Sequence, residues 1–242
     1  MQRSHSRPAP PLIGLLILLM ISPQVTGATP SDHEEGGAQD RGRGHHKERE
    51  QGHHHSFKDP SKWAEKWEGS ERDQTQKPSS VLDHCEINQG MTVVDLGAGT
   101  GYFTSYLASR VGEEGSVLAL DAEAEMVEWL RERAQREGWT QVQTRRVPPN
   151  NPELSPHSVD VILIVNVWHH LDGRQAYLAL LKRALKPTGS LCIVDLKLDA
   201  PHGPPKSFRL TLAQLTEELE RGGMKRFRTL DLPHQYVISA GL

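Results

Sequence analysis

"VVDLGAGTGYF", residues 93–103, decides how the rest of the chain is read. Val93, Val94 and Leu96 favour a short buried strand, and Asp95 is set inside it. Gly97, Gly99 and Gly101 follow at alternate positions, and the helix-like run from Phe103 comes straight after them. Glycine reaches positive φ and lets a ligand approach the backbone closely. A dinucleotide loop requires G-x-G-x-x-G, but Tyr102 occupies the sixth position, so a nicotinamide oxidoreductase is excluded. The Gly-Lys-Ser/Thr of a phosphate loop is also missing. Asp121 ends the next apolar run, where a carboxylate can accept both hydroxyls of a ribose. Taken together, these residues suit a nucleoside without a pyrophosphate.

Outward from this stretch, strand and helix patterns alternate. Strands are expected at 91–96, 116–120, 142–147, 159–165 and 191–196, with two more near 227–232 and 235–239. "VDVILIV" is apolar throughout, as a central parallel strand covered on both faces should be. Helices are expected at 79–86, 103–110, 123–137 and 176–186. The third of these carries Met126, Val127, Leu130 and Ala134 on one face. Thr211 and Gln214 form a capping box for a last helix running to about Arg221. The expected fold is α/β: a Rossmann-like, doubly wound, seven-stranded, mostly parallel sheet with helices on both faces. Ligands in such folds sit at the carboxyl ends of the strands.

At this point the chain resembles the class I S-adenosylmethionine-dependent methyltransferases. "VVDLGAGTGYF" looks like their first motif, "VLALDAE" their second and "VDVILIVNVWHHL" their fourth. "LKRALKPTGSLCIVDLK" resembles their fifth strand with the helix before it, and the likeness covers residues 79–240. Within the family the chain is similar to exported bacterial methyltransferase-domain proteins. The resemblance implies S-adenosylmethionine as cofactor. It implies that Gly97, Ala98, Gly99 and Gly101 hold the methionine tail and ribose, and that Asp95 anchors the loop and the cofactor's amino group. It also implies that Asp121 binds the ribose and that Ala122 lies near the adenine. The family often places an acidic residue after the third strand. Here the loop is "RRVPPNNPEL", and Asn150 or Asn151 is the substitute, through an amide oxygen.

Methyl transfer from a sulfonium chiefly needs alignment of the nucleophile with the methyl. A base helps where the acceptor must lose a proton. Asn166, His169 and His170, after the fourth strand, are the candidates for acceptor chemistry. The histidines can equally cap or pack, and Trp168 can line a pocket or fill the core. Asp195, Lys197 and Tyr236 are expected at the same edge of the cleft. A small-molecule acceptor is the expected partner.

The remainder bears on location. The chain has 242 residues and a net charge of −3, with no basic bias that would suit nucleic acid. Arg3 and Arg7 precede a short apolar run, and Thr26, Gly27 and Ala28 follow it. Residues 1–28 therefore read as a signal peptide rather than a membrane span, which implies a periplasmic or extracellular protein with no span after cleavage; a misassigned start would instead imply a cytoplasmic one. Residues 29–56 read as a disordered linker, with His45, His46, His53, His54 and His55 as candidate ligands for a divalent metal. Such a tail admits an alternative function, an exported methyltransferase-like binding protein that handles metal without turnover. Residues 57–78 read as an extension or lid, with Trp63 and Trp67 sharing a helix face. Residues 79–242 form the methyltransferase domain. A disulfide between Cys85 and Cys192 is admissible on count, but Cys192 lies in an apolar strand, so a buried free thiol is expected.

Overall fold

The computed structural model describes residues 59–242. Residues 1–58, which include the leader and the candidate metal-binding histidines, lie outside the described residues, as do the side chains of Lys66, Trp67 and Ser70. Among the described residues, seven strands form one sheet in the order β3-β2-β1-β4-β5-β7-β6. These are β1 (Thr92–Leu96), β2 (Ser116–Asp121), β3 (Val142–Arg146), β4 (Val159–Val165), β5 (Leu185–Leu196), β6 (Lys225–Asp231) and β7 (Gln235–Gly241). The first five run parallel, while β7 runs antiparallel to β5 and β6. The expected fold class is the observed one.

Side chains along the central strands alternate between two apolar layers, as a strand's two-residue period requires. Val94, Ile162 and Ile164 face one layer with Leu178 and Leu181 of α6 (Arg174–Ala184) and Leu215 and Leu219 of α7 (Leu212–Arg221). Val93, Val161 and Leu163 face the other, with Val81 and Leu82 of α3 (Pro78–His84) and Phe103, Leu107 and Val111 of α4 (Tyr102–Val111). Helix α5 (Ala124–Arg136) contacts β2 and β3 and buries Met126, Val127, Leu130 and Ala134, the expected face. The capping box of α7 is formed on both sides: Thr211 Oγ1 accepts from Gln214 N–H at 3.1 Å, and Gln214 Oε1 accepts from Thr211 N–H at 2.9 Å.

Two expectations need correction. The helix expected to reach Lys186 ends at Ala184, and β5 starts at once. Pro187 disfavours helical backbone at the residue before it. Leu185 then pairs with Val159, and the register shifts before Val161 meets Ser190. The cysteines are not free thiols. Cys85, at the end of α3, is disulfide-bonded to Cys192 in β5, with Cα atoms 5.8 Å apart. Both sit in the same apolar layer, so burial and bridging coexist.

Ahead of the sheet lie α1 (Pro60–Trp67) and α2 (Ser70–Gln76), where the lid or extension was expected. Proline at the start of α1 supplies a φ ready for a helix. Trp63 is half-buried, and α1 meets α5.

Candidate functional site

The glycine loop joins β1 to α4 at the carboxyl edge of the sheet. Gly97 has φ +74°, and a Cβ there would lie 2.3 Å from Cγ2 of Val167. Gly101 has φ +92°, and a Cβ there would lie 2.2 Å from Cδ1 of Leu130. Backbone conformation and close packing therefore both demand glycine at these two positions. The loop's amides are largely committed inside the protein. Gly97 and Ala98 N–H donate to Leu120 O at 2.8 and 3.0 Å, and Gly101 N–H donates to Ala98 O at 3.0 Å. Gly99 N–H donates to Asp121 Oδ2 at 2.8 Å. A phosphate-cradling nest needs those N–H groups pointing outward. This loop spends most of them inside the protein, in agreement with a ligand lacking pyrophosphate.

Two carboxylates flank the loop. Asp121 Oδ1 accepts from Glu123 N–H at 3.0 Å, so each of its oxygens holds one amide and keeps capacity for another donor. Burial raises its carboxyl above the ordinary range, against the pull of the Glu123 and Gly99 amides. Asp95 is 2% exposed and accepts from Thr104 Oγ1 at 2.6 Å, which ties β1 to α4. Burial pushes its carboxyl up to about 6, with the Thr104 hydrogen bond opposing and the charge of Asp121 adding to the rise. Ala122 is half-buried beside Asp121, and its carbonyl accepts from Arg146 Nε at 3.0 Å. Asn150 is exposed in the turn after β3, while Asn151 spends its amide oxygen on Glu153 N–H at 2.9 Å.

The second cluster follows β4. The chain turns at Asn166, with φ +56°, into a 3₁₀ turn at Trp168–His170. Asn166 Oδ1 accepts from Gln235 Nε2 at 2.7 Å. Trp168 is core: it is fully buried, and Nε1 donates to Glu218 Oε2 at 3.1 Å. Arg174 grips the same carboxylate with two hydrogen bonds of 2.8 and 2.7 Å. His170 is exposed, its ring 4.1 Å from that of His169.

His169 is the side chain with chemical consequence. Its Nδ1 lies 2.7 Å from Asp195 Oδ1 at the end of β5, and both side chains are 1% exposed. Asp195 Oδ1 also accepts from Leu196 N–H at 2.8 Å. His169 Nε2 and Asp195 Oδ2 are buried without a hydrogen-bond partner. Orphaned buried polar atoms are uncommon and call for a functional or solvent explanation. A carboxylate beside Nδ1 accepts a hydrogen bond from the Nδ1–H tautomer, in which Nε2 carries the free lone pair. Lys197 pairs with Asp231 at 2.8 Å, and the Tyr236 hydroxyl donates to Leu210 O at 2.9 Å.

Asp195, Gln235, Glu218 and Arg209 complete this half, and sequence reasoning assigned no partner to any of them. Arg209 clamps the loop between β5 and α7, donating to the carbonyls of Pro204, Lys197 and Ala200 at 2.8, 3.1 and 2.7 Å. No local pattern marks these pairs; only the fold brings them together.

A Rossmann-like sheet with a glycine loop and a carboxylate at the end of the second strand defines a nucleoside-binding α/β protein. A methyltransferase-domain family model matches residues 87–225. A SAM-dependent methyltransferase from Aquifex aeolicus is 31% identical in its crystal structure, with a TM-score of 0.70, covering 75% of this chain and 97% of that one. The chain belongs to the S-adenosylmethionine-dependent methyltransferase family, and its cofactor is S-adenosylmethionine. The ubiquinone/menaquinone biosynthesis C-methyltransferase of Methylococcus capsulatus is 31% identical over 122 residues, 48% of this chain and 47% of its own length. The arsenite methyltransferase of Halobacterium salinarum is 30% identical over 112 residues, 46% and 29% of the two chains. The matched part thus spans about half, or less, of these curated relatives.

The residues around the loop fit that cofactor chemically. Asp121 keeps acceptor capacity of the kind a vicinal diol needs, Asp95 is a carboxylate of the kind a cationic amine needs, and no group on that cofactor requires a phosphate nest. Among the described residues, no helix is long and apolar enough to cross a membrane.

Proposed function

We propose that this chain transfers the methyl group of S-adenosylmethionine to a small-molecule acceptor whose reacting atom carries a proton. S-adenosylmethionine supplies a sulfonium-bound methyl and a neutral thioether leaving group. Gly97, Ala98, Gly99 and Gly101 would hold the methionine tail and ribose, Asp95 the amino group, and Asp121 the ribose hydroxyls. The observation that carries the acceptor reading is the buried His169–Asp195 pair, whose Nε2 has no hydrogen-bond partner. Asp195 orients the imidazole, and Nε2 accepts the acceptor's proton, a role worth roughly 10²–10⁴ in rate. Asn166, fixed by Gln235, and His170 border the same turn. The names of the two curated relatives, which concern quinone biosynthesis and arsenite, support a small acceptor.

The test has two stages. Calorimetric titration of S-adenosylmethionine should give micromolar binding that Asp121→Ala weakens at least tenfold, since a charge-assisted acceptor contributes about 1.5–3 kcal/mol. S-adenosylhomocysteine release is then followed on phenols, amines, thiols and activated carbon acids, beside proteins. Turnover on proteins alone would overturn the small-acceptor reading. Absence of cofactor binding would favour the non-catalytic, metal-handling alternative.

We further propose that the protein is exported. The leader read in residues 1–28 supports this, and so does the Cys85–Cys192 disulfide, because such bonds persist in oxidising compartments. Mature N-terminal sequencing and thiol labelling of protein taken from cells test the point. An intact leader with two reactive thiols would sink it.

A further inference from the structure

The turn that carries His169 is pinned from outside. The chain leaves β4 through Asn166 in left-handed backbone, which most side chains avoid, and enters a single 3₁₀ turn, a form with poor hydrogen-bond geometry. Its own backbone bonds run from His170 N–H to Val167 O at 2.8 Å and from Leu171 N–H to Trp168 O at 3.2 Å. Such a segment needs its neighbours to hold its shape. Three side-chain contacts supply this: Asn166 with Gln235 of β7 at 2.7 Å, His169 with Asp195 of β5 at 2.7 Å, and Trp168 with Glu218 of α7 at 3.1 Å.

Glu218 does more than the other two. Its Oε2 accepts from Trp168 Nε1 and from Arg174 Nε at 2.8 Å, and its Oε1 accepts from Arg174 Nη2 at 2.7 Å. Its backbone carbonyl accepts from Gln175 Nε2 at 2.8 Å. Arg174 and Gln175 open α6, so one residue of α7 fastens both ends of the segment 168–174, with His169 between them. The paired bonds from the guanidinium fork set a direction as well as a distance. Burial pushes the Glu218 carboxyl up, but the hydrogen bonds from Arg174 and Trp168 outweigh it and hold the group below its usual value. Replacing a buried ion pair by apolar packing often costs nothing in stability. What this pair supplies is the orientation of the turn.

We infer that Glu218 is a positioning residue for His169. Its carboxylate bonds to Trp168 and Arg174 rather than to the imidazole, and through them it holds the turn in the arrangement that keeps Nδ1 on Asp195 and leaves the lone pair on Nε2. The inference rests on His169 being the base of the proposed reaction.

The test is long-range nitrogen–proton NMR on the full chain with isotope-labelled histidine, the His169 signals being assigned by their loss in His169→Gln. The wild-type ring should be a single Nδ1–H tautomer. Glu218→Ala should mix the tautomers or broaden the signals by exchange. Glu218→Gln, whose amide oxygen still accepts from Trp168 and Arg174, should fall between. S-adenosylmethionine affinity by calorimetry should stay within about threefold in both variants, which shows that the cofactor half is folded. On an acceptor from the panel above, Glu218→Ala should lower kcat by about 10–100-fold with KM little changed, because a small misplacement of a reacting group costs about that much. A lower melting temperature with an unmoved tautomer is the mark of a merely structural role and overturns the inference. Should Glu218→Ala not fold, Arg174→Gln at a half-buried position decides, and an unmoved His169 signal there overturns it equally. A mixed tautomer in Glu218→Ala beside full kcat in His169→Gln would leave Glu218 orienting the ring and overturn the base reading instead, so the two failures are distinguishable.

Discussion

The two halves of the cleft are built by opposite means. Around β1 and β2 the site is mostly backbone: three glycines, amides committed to Leu120 and Ala98, and two carboxylates whose own hydrogen bonds hold the loop. Around β4 and β5 it is mostly side chain: His169 on Asp195, Asn166 on Gln235, and Trp168 and Arg174 on Glu218. The first half has little left to adjust. The second ends in two buried polar atoms without partners. A cofactor that never changes can be met by a fixed loop of contiguous residues. On the function proposed above, the acceptor would be met by side chains drawn from separate elements.

The sharpest way to test this division is to remove the basic nitrogen alone. His169→Gln should lower kcat by about 10²–10⁴ on an acceptor that loses a proton, with cofactor affinity unchanged. Asp195→Asn should act in the same direction through misorientation of the imidazole. Steady-state kinetics beside calorimetry separate the two quantities. A His169→Gln enzyme with full kcat would mean that the acceptor half only shapes space.

Gly97 is where the halves touch, since its missing Cβ is replaced by Val167, which follows β4. Gly97→Ala adds an unfavourable positive φ and a clash, together about 2–4 kcal/mol of lost stability. Thermal melts should show that loss, and Val167→Ala in the same chain should recover the steric part but not the backbone part. An unchanged melting temperature would mean that the loop and the β4 turn move apart freely, and the division would then be complete.

The same division governs how much could be read in advance. The strands, the amphipathic face of α5 and the capping box are local patterns of a few residues, and the glycine loop is contiguous. Asp121 stands 22 residues from the Gly99 amide it accepts, near enough for strand order to fix it. The half around β4 and β5 depends on pairs 26, 50 and 69 residues apart: His169 with Asp195, Trp168 with Glu218, and Asn166 with Gln235. The disulfide spans 107 residues, and each cysteine lies in a setting that suits a free buried thiol equally well. Nothing in either local stretch says which strand lies beside which helix. The end of α6 departs from expectation for a nearer reason: Lys186 belongs by composition to the helix, but Pro187 and the pairing of Leu185 with Val159 claim it for the strand.

The smallest effect lies in pH and acts on the cofactor half through Asp95. Its carboxyl is raised from 3.8 to about 6, so the cofactor-free fold holds this proton more tightly than the unfolded chain does. On this group's account, stability is fully present below about pH 4 and is lost as pH rises through about 6. Cofactor affinity should move the other way. A cationic amine needs the ionised carboxylate, so affinity should fall by up to about tenfold per pH unit below 6, with a proton released on binding near that pH. Titrations in two buffers of different ionisation enthalpy measure the released proton directly. Thr104, Asp121 and Arg72 also act on this carboxyl, and the amide in Asp95→Asn answers to none of them by titrating. That variant should bind the cofactor weakly and with a flatter pH profile, and its stability should lose the matching slope. Opposite slopes for stability and affinity, both abolished by one substitution, would tie the carboxylate to the ligand rather than to the packing of α4. Slopes of the same sign would assign Asp95 to the fold alone.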